Sequence, residues 1–173
     1  MQSSKSNKIA PIRLLAVAPS QYGKTYAVVH WLCKLIRQKE WHPKRVIIIS
    51  PTAKTDDSME PLISLCESKC PNFKETNMYE SVDEGMLLSL YDIQKEIKEH
   101  NPAKLKQFLV IIDDSITDDA MHRKSSPMLK ISTSGRHFGI STCVMMQQYR
   151  SSSNPLIRSQ TSCMLLGRLN NLS

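Results

Sequence analysis

The chain has 173 residues, of which 40% are apolar and 23% charged, and its net charge is +7 at pH 7. This length suits a single domain with a substantial core. The sequence has no apolar run of roughly 18 residues, so we expect no membrane span. The basic balance suits a polyanionic partner, although a solvated surface explains it equally well.

The first nine residues are polar and basic, with no apolar stretch behind them. We expect 1–9 to be a flexible leader rather than a secretory signal, and 10–173 to form one domain, which is either a minimal core or truncated at its carboxyl end. The five cysteines lack the spacing of a zinc site. Their odd number, without a signal, favours a reducing compartment.

Apolar runs of strand length alternate with helical patterns along the chain. We expect strands over 12–18, 45–50, 108–114, 141–148 and 162–169. Helices are expected over 24–38, from a cap at Asp57 or Ser58 to Cys70, over 82–100 and over 126–134. The segment 70–81 is expected to be irregular, and a helical turn is expected after Asn154, with Pro155 at its first position. The strands are apolar on both faces, which predicts an α/β fold with a mainly parallel sheet covered by helices on both sides.

The segment APSQYGKT lies between the first strand and the first helix and fits the phosphate-loop pattern G-x-x-x-x-G-K-[ST], with alanine at the first glycine. Its backbone N–H groups and the helix N terminus can surround a phosphate. Lys24 would reach the β- and γ-phosphates, and Thr25 would bind Mg²⁺. Ala18 lacks the freedom of glycine to adopt a positive φ, and a basic turn without a ligand is the alternative. The predicted nucleotide-binding residues are Ala18, Pro19, Ser20, Gln21, Tyr22, Gly23, Lys24 and Thr25.

Two adjacent acids end the apolar run FLVIIDD, over 108–114. This run places them at the carboxyl end of a buried strand, at the same edge of the sheet as the phosphate loop. Asp113 would hold Mg²⁺ through water, and Asp114 would polarise the attacking water. The alternative is that the two acids only end a strand in solvent.

The third motif is TSGRHFGISTCVMMQQYR, over 133–150. Its strand ends in Gln147 and Gln148, at the edge where the acids lie, and a glutamine there can hydrogen-bond both the γ-phosphate and the attacking water. Arg136 precedes the strand and therefore lies at the opposite edge. It is either a surface ion-pair residue or a residue that serves a neighbouring subunit.

The order of these three motifs resembles the FtsK–HerA superfamily of DNA-pumping ATPases. More closely, it is similar to the poxvirus-type genome-packaging ATPases of nucleocytoplasmic large DNA viruses and of Maverick/Polinton elements. The resemblance spans 10–170 and is most specific at five positions, namely Gly135, Arg136, Gly139, Ile140 and Gln147. It implies a P-loop NTPase fold of the additional-strand catalytic-glutamate type, in which the Gln147 strand lies between the loop strand and the Asp113 strand.

The resemblance also implies a function. Members use ATP and Mg²⁺ and assemble as rings that translocate double-stranded DNA. Arg136 matches the trans-acting arginine finger, and Gln147 matches the sensor, a role that Gln148 could share. Capsid proteins would be further partners, and the location would be the cytoplasm of the infected host cell, at virus assembly sites, or the virion. The sequence leaves two alternatives: another P-loop enzyme, such as a helicase or nucleotide kinase, or a nucleotide-binding interaction module with little turnover.

Overall fold

A computed structural model of the chain describes residues 10–38, 41, 43–70, 72–114, 126–147 and 155–167. Strands and helices alternate through these residues. The strands are β1 (Arg13–Val17), β2 (Arg45–Ile49), β3 (Met78–Tyr79), β4 (Phe108–Asp113), β5 (Ile140–Met146) and β6 (Cys163–Leu166). The α-helices are α1 (Lys24–Arg37), α2 (Glu60–Lys69), α3 (Glu84–His100), α4 (Pro127–Ser134) and α5 (Pro155–Gln160).

The six strands form one sheet in the order β3-β2-β4-β5-β1-β6, and every neighbouring pair is parallel. The predicted α/β class is therefore confirmed, as is the implied position of β5 between β1 and β4. The register pairs Val17 with Met146 and Asp113 with Met145. The strand ends that carry the three motifs thus meet at one edge, which we call the carboxyl edge. The opposite edge, where the strands begin, is the amino edge.

The sheet separates two hydrophobic cores. Leu14 and Ala16 of β1 pack with α1 and α2 on one face, whereas Leu15 and Val17 pack with α3, α4 and α5 on the other. Alternate residues of a strand point to opposite faces, so a strand buried on both faces needs a continuous apolar run. Within the described residues, no helix combines the length and the apolarity that crossing a membrane requires.

Two local predictions differ from the structure, and a third falls partly outside the described residues. Helix α2 begins at Glu60 after Met59, so the predicted cap at Asp57 or Ser58 is wrong. Residues 51–59 instead make turns, one of which is closed by a bond from Ser58 N to Asp56 Oδ1 (2.9 Å). The segment expected to be irregular contains the two-residue strand β3, which pairs with β2. Helix α5 begins at Pro155 as predicted, while its expected cap, Asn154, lies outside the described residues.

Candidate active site

The phosphate loop leaves β1 and runs directly into α1. Its positive φ angles occur at Gln21 (65°) and Gly23 (71°) and not at Ala18. A glycine's conformational freedom is therefore not needed at Ala18. The Ala18 side chain is buried, and a Cβ added at Gly167 would lie 2.5 Å from its Cβ. The alanine thus fits because the chain has glycine at the end of β6, a compensation that the loop motif alone gave no reason to expect.

The other loop residues are mostly exposed, and the helix that follows them has an uncapped N terminus. Lys24 is buried, Pro19 and Thr25 are half-buried, and the remaining residues are exposed, namely Ser20, Gln21, Tyr22 and Gly23. No side chain caps the start of α1, and its first turn has no acidic residue. Both features leave the partial positive charge of the helix N terminus available to an anion.

Residues from the three motifs are joined at the carboxyl edge by two hydrogen bonds. Lys24 Nζ lies 2.9 Å from Asp114 Oδ1, and Gln147 Nε2 donates to Asp114 Oδ2 at 3.0 Å. Asp114 has a φ of 44°, and its backbone N–H donates to Met145 O (3.2 Å). The turn after β4 therefore directs the Asp114 carboxylate between the phosphate loop and the end of β5. We call this bonded group the Lys24–Asp114–Gln147 network.

Asp113 lies beside the network and is nearly inaccessible, with 4% of its surface exposed. Burial is the largest cause that raises its pKa to about 6, and the charge of Asp114 raises it further. Lys24 and a hydrogen bond with Ser50 oppose this shift. A buried carboxyl group beside an exposed one is a favourable place for a divalent cation. Mg²⁺ is usually bound by one or two carboxylates together with substrate phosphates, so Asp113 and the half-buried Thr25 fit it.

The other predicted catalytic residues fall in different places. Gln147 belongs to the network, whereas Gln148 lies outside the described residues. Arg136 is exposed in a 3₁₀ turn (Gly135–Phe138) at the amino edge, where its Nε donates to His137 Nε2 (3.3 Å). The seven residues of β5 separate it from Gln147 by roughly 23 Å. Arg136 therefore does not take part in the site of its own chain.

No protein-family model and no curated protein matches the sequence. Several solved structures share the fold. The genome-packaging NTPase B204 from Sulfolobus turreted icosahedral virus 2, in complex with AMP, aligns over 94% of this chain and 77% of its own, with 13% identity and a TM-score of 0.60. The DNA-packaging ATPase B204 from Sulfolobus turreted icosahedral virus aligns over 95% and 79%, with 12% identity and a TM-score of 0.61. The cytoplasmic domain of EssC aligns over 90% of this chain and 30% of its own, with 15% identity and a TM-score of 0.53.

The chain has a P-loop NTPase fold. The order of the sheet, with β5 between β1 and β4, and the alignment over nearly the whole of this chain both support this assignment. At these levels of identity the likeness concerns the fold, and the function has to be argued from the site.

Proposed function

We propose that this chain is an ATP-hydrolysing motor of the FtsK–HerA superfamily that moves double-stranded DNA into a viral capsid. It would act as a ring in which Arg136 serves the neighbouring subunit. The observation that carries the proposal is the Lys24–Asp114–Gln147 network, with bonds of 2.9 and 3.0 Å. A lysine, a carboxylate and a glutamine, from segments that follow three adjacent strands, meet where ATP hydrolysis needs them.

Each side chain has a defined task in this reaction. The loop N–H groups and Lys24 bind the phosphates, and Lys24 leaves Asp114 as it does so. Asp114 then orients the attacking water and accepts its proton, while Gln147 holds the γ-phosphate and that water in line. Thr25 and Asp113 would hold Mg²⁺, which when bound neutralises phosphate charge.

Further observations support the proposal of a ring that moves double-stranded DNA. Arg136 is exposed and roughly a strand length from its own site, as an arginine that completes a neighbour's site must be. Both B204 structures are of viral genome-packaging proteins and align with nearly all of this chain. The proposed relationship to poxvirus-type and Maverick/Polinton ATPases comes from the motif resemblance. Capsid proteins and a location at virus assembly sites in the infected cell, or in the virion, follow from it.

The test measures ATPase rate against protein concentration, with and without double-stranded DNA. We expect specific activity to rise steeply with concentration, because each active site is completed across a subunit boundary. Lys24→Ala should abolish turnover, and Arg136→Ala should reduce it on the order of a thousandfold. Arg45→Ala is the matched control, since Arg45 is also an exposed arginine at the amino edge, and it should behave as wild type.

Other results would favour the alternatives. A specific activity that is flat with concentration and equal in wild type and the Arg136 variant would contradict the trans-acting arginine. Tight ATP binding without turnover would indicate a nucleotide-binding module. Turnover that depends on a nucleotide acceptor, and not on DNA, would indicate a kinase.

A further inference from the structure

The start of α1 exposes aromatic side chains beside the phosphate loop. Tyr26, the third residue of the helix, is 67% exposed, and Tyr22 in the loop before it is 50% exposed. Tyr26 directly follows Lys24 and Thr25 but is not part of the network that joins the three motifs. A tyrosine this exposed buries little apolar surface and is only a moderate helix former, so it contributes little to folding.

The Tyr26 ring is stacked on the imidazole ring of His30, one helical turn later. The two ring centroids lie 6.4 Å apart, and the ring planes are inclined by 18°. Residues four apart share one face of a helix, and helical side chains lean toward its N terminus. His30 therefore supports the Tyr26 ring from the side away from the loop, and the rest of the ring is largely open to solvent.

A nucleotide held by the loop would place its base near the start of α1. The Lys24–Asp114–Gln147 network marks the side on which the γ-phosphate and the attacking water would lie. The other phosphates lead away from that side, along the loop to the N terminus of α1, and the ribose and base follow them. Tyr26 is exposed at this end of the helix, and α1 has no acidic residue that would repel an anionic ligand.

We propose that Tyr26, supported by His30, forms the surface on which the base of the bound nucleotide stacks. The proposal rests on the proposed function and adds to it the residues that bind the base. Aromatic side chains bind all bases by stacking, because every base has a π-face. A purine offers more contact area than a pyrimidine. ATP and GTP should therefore bind alike, and CTP should bind more weakly.

The position of the pair favours a nucleotide over other ligands of an exposed aromatic side chain. Bases within a DNA duplex are stacked on one another, so an aromatic ring cannot reach their faces unless the base leaves the stack. A protein partner would be expected to cover a wider apolar patch. The next exposed position along this face of α1 is instead the charged Lys34.

Calorimetric titration with two ligands separates the base from the phosphates. One is AMPPCP, a non-hydrolysable analogue of ATP, and the other is inorganic tripolyphosphate, which lacks both ribose and base. Tyr26→Ala should bind AMPPCP about 5-fold to 100-fold more weakly than wild type and should bind tripolyphosphate equally well. Tyr26→Phe keeps the ring and should match wild type with both ligands. Lys34→Ala is the matched control, since it removes an exposed side chain from the same face of α1, two turns further on.

Base preference and steady-state kinetics give two further measurements. The weaker binding of CTP relative to ATP and GTP should largely disappear in Tyr26→Ala. The same variant should raise the KM for ATP and leave kcat nearly unchanged, because the base stacks equally in the ground state and the transition state. A substitution that only distorted the phosphate loop would also lower kcat and the affinity for tripolyphosphate.

Three results would overturn this proposal while leaving the proposed function intact. One is a Tyr26→Ala chain that binds AMPPCP as tightly as the Lys34→Ala control. Another is an equal loss of affinity for AMPPCP and tripolyphosphate, which would place the defect in the phosphate loop. The third is unchanged nucleotide binding with weaker DNA binding or self-association, which would assign the aromatic pair to one of those contacts. A wild-type chain that binds neither ligand and has no turnover would instead refute the proposed function, and the base site with it.

Discussion

Lys24 has a single ammonium group, and in the proposed reaction two anions compete for it: the Asp114 carboxylate and the phosphates of ATP. The Lys24 side chain is 5% exposed and that of Asp114 is 36% exposed. When the pair separates, water can therefore solvate the carboxylate better than it can solvate the ammonium group. We expect Asp114→Asn to bind ATP several-fold more tightly, because no charged partner has to be displaced, while turnover falls on the order of 100-fold to 1000-fold.

Titration with a fluorescent ATP analogue measures the affinity, and single-turnover hydrolysis measures the rate. Asp92→Asn is the matched control, since Asp92 is an exposed acid on α3, away from the site. Weaker ATP binding by Asp114→Asn would show that Asp114 stabilises the ATP complex rather than competing with ATP for Lys24.

The raised pKa of Asp113, about 6 against an ordinary 3.8, has a consequence for stability. The folded chain holds this proton more tightly than the unfolded chain, so the contribution of Asp113 to stability falls as pH rises from about 4 to 6. At pH 7 the folded chain carries a buried carboxylate next to that of Asp114. Asp113→Asn should therefore raise the free energy of unfolding at pH 7 by on the order of 2 kcal/mol, and this gain should shrink toward zero as pH falls to 4.

Urea denaturation of both proteins between pH 4 and 7, with divalent cations chelated, tests this dependence. Asp92→Asn should show no comparable change across the range. If Asp113→Asn raises the free energy of unfolding equally at every pH, the amide simply packs better. Ionisation of Asp113 would then not destabilise the fold.

The sequence indicated which residues would gather at the carboxyl edge, because each motif follows a strand and parallel strands end at one edge. It did not indicate that Lys24 pairs with Asp114. Asp113 is the last residue of β4 and pairs with Met145, whereas Asp114 leaves the strand with a φ of 44°. That angle is a property of the turn in its tertiary setting, and two adjacent aspartates carry no signal that distinguishes them.

At the scale of elements, the longer buried strands were predictable because their residues are apolar on both faces. Strand β3 was not, because its two residues are extended only through pairing with Ile48 and Ile49. The start of α2 was also misplaced. Asp57 and Ser58 are good capping residues in general, but here a run of turns occupies 51–59 and delays the helix.

A buried glutamine is one of the residues through which helix α3 holds the turn that carries Arg136. Gln94 is 1% exposed, and its Nε2 donates to Lys106 O (2.7 Å) and to Phe138 O (2.9 Å). Gln94 thus ties the helix to the segments that enter β4 and β5. We expect Gln94→Ala to lower the free energy of unfolding by about 1–3 kcal/mol, because two carbonyls lose their donor in a buried site.

Chemical denaturation measures this loss, and Ile93→Ala, at the exposed neighbouring position on α3, should cost much less. If Gln94 also fixes the arginine turn, the remaining ATPase of Gln94→Ala should show a weaker rise with protein concentration. An unchanged stability would mean that water replaces the amide at both carbonyls.

At the scale of the whole molecule, the parallel sheet places basic and acidic residues at opposite edges. Strands begin at Arg13 and Arg45 on the amino edge, and the acids Asp113 and Asp114 follow strands at the carboxyl edge. The direction of the strands predicted the acids at the carboxyl edge and Arg136 at the opposite edge, and the resemblance added the place of β5 in the middle of the sheet. The net charge of +7 gives no indication of how the charges are divided between the two edges.

If the two edges meet in a head-to-tail assembly, the assembly should be sensitive to salt. Raising sodium chloride from about 50 to about 500 mM shortens the screening length from roughly 14 to roughly 4 Å and should weaken association at least tenfold. Sedimentation velocity at several protein concentrations, with ATP and without DNA, measures this effect free of counterion release from nucleic acid. Arg136→Ala should show a smaller salt dependence than the Arg45→Ala control, because of these two exposed arginines only Arg136 would face the neighbour's nucleotide. Association that tightens as salt rises would instead indicate an apolar interface, in which the charges of the two edges do not face each other.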